Sequence, residues 1–242
     1  MKPNIKVIAG GMWKFYEDPR PEYTYVMGVD TASGKEGANE TVAHILCVNT
    51  GKQVITSGGQ YAPEDFCGQI EMAAYLYNEA CIGVEREFHG VTIINYLRQK
   101  LYPNIYFHPS HLTAFNGAPT EFGWDARRYR QIAIDWLQQD IGYSVSKVPM
   151  EQDRAIWLKD PETITQLGYF WRNKKTGKFE APPGKRDDRV SALYIANYIR
   201  REVYPLIFAV EAPKEKEMTF LERIQQGDKA EDRNMGRRDL DY

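Results

Sequence analysis

Tyr25-Val26-Met27-Gly28-Val29-Asp30-Thr31-Ala32-Ser33-Gly34 is the stretch on which the fold turns. It is a short apolar run, rich in β-branched and aromatic residues, closed by a carboxylate and a Gly-containing turn. That is the pattern of a buried strand. Such a strand holds Asp30 only if the carboxylate is paired, caps the following loop, or faces a cation. Two later acidic positions favour the cation.

Upstream, Ile5–Ala9 reads as an edge strand and Asp18-Pro19-Arg20-Pro21 as a stiff, extended entry. Downstream, Thr41–Asn49 and Gln53–Ser57 flank the turn Thr50-Gly51-Lys52 and complete a three-strand antiparallel meander. Pro63 opens a helix through Glu79, with Phe66, Ile70, Ala73, Ala74 and Tyr77 at helical spacing. Ala80–Glu85 is a second buried strand ending on a carboxylate. The turn Phe88-His89-Gly90 leads into a helix with Val91, Ile94, Leu97 and Leu101 on one face, and Ile105–Phe107 reads as a further strand. An irregular loop carries Pro109, Gly117 and Pro119. Helices are then expected over Ala126–Gln139, with Ile132, Trp136 and Gln139 on one side, over Glu151–Leu158, and from Pro161 to Leu167. Tyr169–Ala181 reads as a hairpin with a basic tip. Asp187–Tyr204 is the last helix, burying Val190, Leu193, Tyr194, Ala196, Tyr198 and Ile199.

With 43% hydrophobic residues in 242, the chain can build a sizeable core. Residues 1–20 read as an N-terminal extension and 21–210 as the folded domain. Residues 211–242 read as a charged tail whose sparse apolar content cannot repay its ordering entropy. Acidic and basic residues balance at 24 each over 1–210, so an anionic partner must be held by local patches. Cys47, Cys67 and Cys81 lack CxxC spacing, which argues against a zinc site or a disulfide framework. No run approaches the roughly 18 apolar residues of a membrane span, and no signal-peptide core is present, so a soluble intracellular protein is expected.

Three strands, a helix, a strand, a helix and a late helix opened by acids is the order of an RNase H-like α/β fold. In that fold a mixed central sheet, an antiparallel meander plus parallel strands, is flanked by helices. It brings Asp30, Glu85 and the pair Asp187-Asp188 to one place. Crowded carboxylates raise one another's pKa unless cations intervene. Their hard oxygen donors suit Mg²⁺ or Mn²⁺, and two such ions about 3.5–4 Å apart serve an in-line phosphodiester displacement.

The motifs YVMGVDTASG, VEREFHG and GKFEAPPGKRDDRVSALYIA, in this order, resemble the C-terminal nuclease domain of tailed-phage large terminase subunits over about residues 20–204. The resemblance implies a metal-dependent endonuclease that cuts concatemeric viral DNA during packaging. Asp30 would bridge two ions, with Glu85, Asp187 and Asp188 completing their shells and water as the nucleophile. It further implies double-stranded DNA as substrate and the host cytoplasm as location. The implied partners are a packaging ATPase, a portal and a small terminase. Two departures stand out: Arg186 occupies a position where the family often has His, and Asn39-Glu40 stands where many relatives place an Asp. No G-x-x-x-x-G-K-[ST] occurs, so no ATP site is expected in this chain. The start within GGMWKFYEDPRPEY reads as an excised domain. His89 reads as shaping the turn after Glu85, and His44 as structural.

For DNA, the hairpin residues Arg172, Lys174, Lys175 and Lys178 are the first candidates. Arg186 and the run Arg127, Arg128 and Arg130 come next, although such runs more often only solvate a helix face. Two rival readings are a Holliday-junction resolvase or transposase-like nuclease of the same fold, and a catalytically silent module docking DNA or a portal.

Overall fold

The computed structural model describes residues 6–8, 12–35, 37, 39–87, 89–108, 121–146, 156–174 and 176–203. They lie in one compact unit, Met1–Phe208. The second unit, Ala209–Tyr242, holds the expected tail and is outside the described residues, as is the loop with Pro109, Gly117 and Pro119. Among the described residues, no helix is long and apolar enough to cross a membrane.

The strands are β1 (Lys6–Ile8), β2 (Trp13–Phe15), β3 (Tyr25–Asp30), β4 (Thr41–Cys47), β5 (Gln53–Gly59) and β6 (Cys81–Val84). They form one sheet in the order β1-β2-β5-β4-β3-β6. All neighbours are antiparallel except β3 and β6. The meander β3-β4-β5, the edge strand and the parallel addition of β6 match the sequence reading. The span Ile105–Phe107 contributes only an isolated parallel bridge between Ile105 and Ile82.

β3 is buried on both faces, and its two-residue period sorts it between two cores. Met27 and Val29 join the core beneath α1 (Pro63–Leu76) and α2 (Gly90–Gln99). Val26 joins the core beneath α3 (Ala126–Ser146) and α5 (Asp188–Val203). Gly28 and Asp30 therefore share the α5 face. A Cβ at Gly28 would overlap the Ala192 carbonyl oxygen and the Ala196 backbone. Gly83, the cross-strand neighbour of Gly28, faces Ile199 in the same way. The two glycines and the alanines of α5 let helix and sheet approach to backbone contact. One helical turn, about 5.4 Å, nearly matches a two-residue strand step, about 6.6 Å. Stepping from Ala196 through Ala192 to Asp188 thus follows the strand from Gly28 towards Asp30.

Helix details depart from the sequence reading. α1 stops at Leu76, because Asn78 and Glu79 take left-handed backbone (φ 55° and 56°). α2 begins at Gly90 and buries Ile93, Ile94 and Leu97, leaving Val91 and Leu101 exposed. α3 runs to Ser146 and buries Ala133, Ile134, Leu137 and Asp140 in place of the Ile132/Trp136/Gln139 side. Its phase is set by Asp140, which accepts a 2.8 Å hydrogen bond from the Asn197 side chain of α5. The described end of the expected helix Glu151–Leu158 is extended instead. Trp157 there bridges Lys52, and Gln53 N–H donates to the Trp157 carbonyl at 2.9 Å. α4 (Pro161–Tyr169) and the hairpin strands β7 (Trp171–Arg172) and β8 (Phe179–Glu180) are as expected.

Two glycine substitutions separate close packing from conformational freedom. Gly28→Ala should cost about 3 kcal/mol or more, since the obstacle is backbone. Gly168→Ala, in α4 with open space around it, should stabilise by about 0.5–1 kcal/mol. Denaturant unfolding midpoints check both.

Candidate metal centre

Two carboxylates leave adjacent strand ends. Val29 and Val84 form the last parallel register pair, and Glu85 N–H donates to the Val29 carbonyl at 3.0 Å. Glu85 is held from its other side by a bridge to Trp124, with Arg86 N–H donating to the Trp124 carbonyl at 3.0 Å. α2 starts so close that any Cβ at Gly90 would overlap the Glu85 carbonyl oxygen. This is the physical reason for a glycine at the end of VEREFHG. After Asp30 the chain is pinned by Ala32 N–H donating to Thr41 Oγ1 at 3.0 Å. α5 supplies the remaining acids. The Asp187 carbonyl accepts the Ser191 N–H at 2.8 Å, and the buried Asp188 carboxylate accepts the Glu40 N–H at 2.7 Å.

Burial, and then the adjoining Glu85 carboxylate, push the Asp30 carboxyl well above its ordinary range, with Asp188 and Asp187 adding to the effect. Burial also raises Glu85, against the hydrogen bond it receives from Asp30 and the charge of Arg130. Asp188 is pushed up to about 6 by burial, with Asp187 and Glu40 contributing. Asp187 stands apart. Its carboxylate accepts the Ala181 N–H at 3.3 Å and lies 3.9 Å from the Arg130 guanidinium. The structure thus brings Asp30, Glu85 and Asp188 together and turns Asp187 towards the hairpin. Among the described residues, no three acidic, imidazole or thiol side chains are gathered closely enough, as they stand, to hold a metal ion. The donor set is nonetheless all oxygen, partly buried and mutually repelling, which is the chemistry a hard divalent cation relieves.

A cleft of about 340 Å³ opens onto Glu85, lined also by Thr31, Ser33, Asn39, Glu87 and His89. His89 is exposed at the start of α2, as its turn-shaping reading requires. His44 is structural: burial holds its imidazole down to about 4, so it is neutral. Its Nε2–H donates to the Arg189 carbonyl at 3.0 Å, and its Nδ1 accepts from the Gln53 amide at 2.8 Å.

That histidine belongs to a buried network behind the acids. Gln53 Oε1 accepts the backbone N–H of Lys159 and of Asp160, each at 2.8 Å. The Asp160 carboxylate caps α4 through Thr163, and accepts from Tyr16 at 3.1 Å and Lys14 at 3.3 Å. It also pairs with Arg189 at 3.2 Å. Arg189 lies across Gly58 and pairs with Glu40, while its N–H donates to Gln166 at 2.9 Å. The residue after Asp188 thus clamps the start of α5 to the sheet. Of this group the sequence reading contained the structural role of His44 and the helix opening at Pro161.

The basic candidates divide. Arg127 pairs with Glu87 at 2.6 Å and Arg128 with Asp125 at 3.4 Å, so neither simply solvates a helix face. Arg130 reaches the acids. Arg186 pairs with Glu40 at 3.4 Å. Arg172 folds back to donate to the Gly177 carbonyl at 2.9 Å. Lys174 and Lys178 are exposed, and Lys175 lies outside the described residues.

The network makes an acid-stability prediction. Although burial opposes it, the Thr163 hydrogen bond and the charges of Arg189 and Lys14 push the Asp160 carboxyl down to about 2. A depressed folded-state pKa gives stability that is present above the unfolded pKa, near 3.8, and lost as pH falls towards 2. Between pH 5 and 2 the parent should lose about 2 kcal/mol more than Asp160→Asn, read from urea unfolding at several pH values.

The sequence matches no protein-family model and no curated protein. Solved structures are similar at the level of fold. The large terminase nuclease of thermophilic phage G20c aligns at TM-score 0.57 and 18% identity, over 80% of this chain and 91% of its own. Its magnesium-bound form aligns at 0.57 and 17%, over 80% and 90%. The large terminase nuclease domain of Thermus phage P74-26 aligns at 0.53 and 17%, over 79% and 87%. With the mixed sheet, the parallel β3–β6 pair and α5 laid across it, this chain has the RNase H-like fold of phage large-terminase nuclease domains.

Proposed function

We propose that the chain is a divalent-metal-dependent endodeoxyribonuclease that cuts concatemeric viral DNA during genome packaging. The observation that supports this reading most directly is the convergence of Asp30, Glu85 and Asp188 at two parallel strand ends and a helix start. Asp30, Glu85, Asp187 and Asp188 would hold Mg²⁺ or Mn²⁺, two ions in the full site. A bound ion there supplies Lewis-acid polarisation of a phosphoryl oxygen and a lowered pKa for water.

The chain's own residues do the rest. Asp30 adjoins Glu85 and feels the charges of Asp188 and Asp187, so its carboxylate would be the one shared between ions. Burial and the adjoining Glu85 carboxylate hold the Asp30 carboxyl above its ordinary range, a repulsion that a bound divalent cation would relieve. The cleft beside Glu85 gives the scissile phosphate access. Lys174, Lys175 and Lys178 at the hairpin tip would hold flanking phosphates without reading sequence, as suits cutting wherever packaging stops. The nuclease body would take in β1 and β2, which the sequence reading assigned to an extension over 1–20 but which continue the central sheet beside β5. The tail 211–242 would serve a packaging partner, among the ATPase, portal and small terminase, in the host cytoplasm.

Asp30→Asn should abolish nicking of supercoiled plasmid in Mn²⁺ while keeping or slightly raising the thermal midpoint, because a like-charge repulsion is relieved. Full nicking by that variant would sink the reading. Changing Lys174 and Lys178 to Ala should weaken binding to unrelated duplexes alike and lower the salt slope by up to about two units. An unchanged slope would move the DNA path off the hairpin.

A further inference from the structure

Asp187 and Asp188 are neighbours in sequence, yet the structure treats them differently. Asp188 is buried and fixed by a short bond from the Glu40 N–H. Asp187 is held by two long contacts, the Ala181 N–H at 3.3 Å and Arg130 at 3.9 Å. Arg130 itself is loosely committed. Its Nη2 donates to the Phe179 carbonyl at 3.2 Å, and its side chain is 42% exposed. In the same turn of α3, Arg127 is bound to Glu87 and Arg128 to Asp125. Among the three arginines of this turn, Arg130 is thus the one placed to change partners.

We infer that Arg130 is a shared cation, holding Asp187 aside in the ion-free protein and passing to a DNA phosphate when Asp187 turns to an ion. The inference rests on the metal-dependent nuclease reading and names a residue acting on its substrate. A guanidinium and a divalent ion cannot both stay close to one carboxylate without strong repulsion. An incoming ion therefore displaces Arg130. The freed guanidinium has the planar donor fork that matches a phosphodiester, and it sits at the mouth of the acidic cluster where the scissile phosphate must arrive. The charge of Arg130 already acts on Glu85 and on the buried Tyr194, which places it facing the cluster.

The test uses Arg130→Gln and Arg130→Lys in the full chain, with two readouts that need no turnover. In calorimetric titration with Mn²⁺ alone, Arg130→Gln should tighten the weaker ion step roughly fivefold, since the competing cation is gone. In binding to a short blunt duplex with Ca²⁺ filling the site, so that Asp187 is engaged and Arg130 is free, the same variant should lose affinity and lower the salt slope by about 0.9, while in EDTA it should match the parent. Arg130→Lys keeps the charge and should return both readouts towards the parent. An unchanged Mn²⁺ titration or an unchanged slope in Arg130→Gln overturns the inference and leaves Arg130 a strut for the Phe179 carbonyl. A parent chain that binds no Mn²⁺ overturns the metal reading itself and this inference with it. A parent that binds Mn²⁺ beside an unaltered variant overturns only the sharing.

Discussion

The Ala192 carbonyl and the Ala196 backbone rest against the bare α-carbon of Gly28, closer than any side chain would allow. This contact sets the height of α5 above β3. Raising the helix by one methyl group would lift Asp188 away from Asp30 and separate the acid of the late helix from the acids of the strand ends. Gly83, beside Gly28 across the parallel pair, extends the same shallow groove under Ile199. Gly90 plays the matching part at β6, letting α2 start against the Glu85 carbonyl. Close approach at Gly28 and Gly90 thus sets the acids by backbone geometry, while Gly83 leaves room for the Ile199 side chain.

Holding like charges together needs resistance from behind, because their repulsion favours any motion that parts them. Here it comes from buried groups on the far side of α5. Arg189 ties the residue after Asp188 to Asp160 and Glu40, and neutral His44 holds the Arg189 carbonyl. The contacts in this chain join β4, β5, the segment before α4 and the start of α5. The arrangement stiffens one end of α5 while leaving the Asp187 side, next to the hairpin, with longer and fewer contacts.

The sheet was legible because its strands are short apolar runs closed by acids or turns, and a strand buried on both faces has few competing readings. The acids at the two strand ends were legible for the same reason: a carboxylate at the end of an apolar strand is costly unless it has a task. Helix phase was not. In α2, Val91 and Leu101 fit an apolar spacing as well as Ile93 does, and only the start at Gly90, set by the Glu85 carbonyl, selects the face. In α3 the selecting residue is Asp140, a polar side chain whose partner Asn197 lies 57 residues away. The separate fates of Asp187 and Asp188 depend on Glu40 and Arg130, which come from other elements and carry no local signal. Arg189 looked like one more charge on a helix, and its buried role appears only when Asp160 and Gly58 are brought beneath it.

Mn²⁺ scatters anomalously, so a crystal soaked in it locates the ion without reference to activity. Strong anomalous density in contact with the Asp30 carboxylate, shared with Glu85 or Asp188, is the result that convergence of these acids predicts. Saturating Mn²⁺ that leaves Asp30, Glu85 and Asp188 without density, or that binds only at unrelated surface carboxylates, would contradict it.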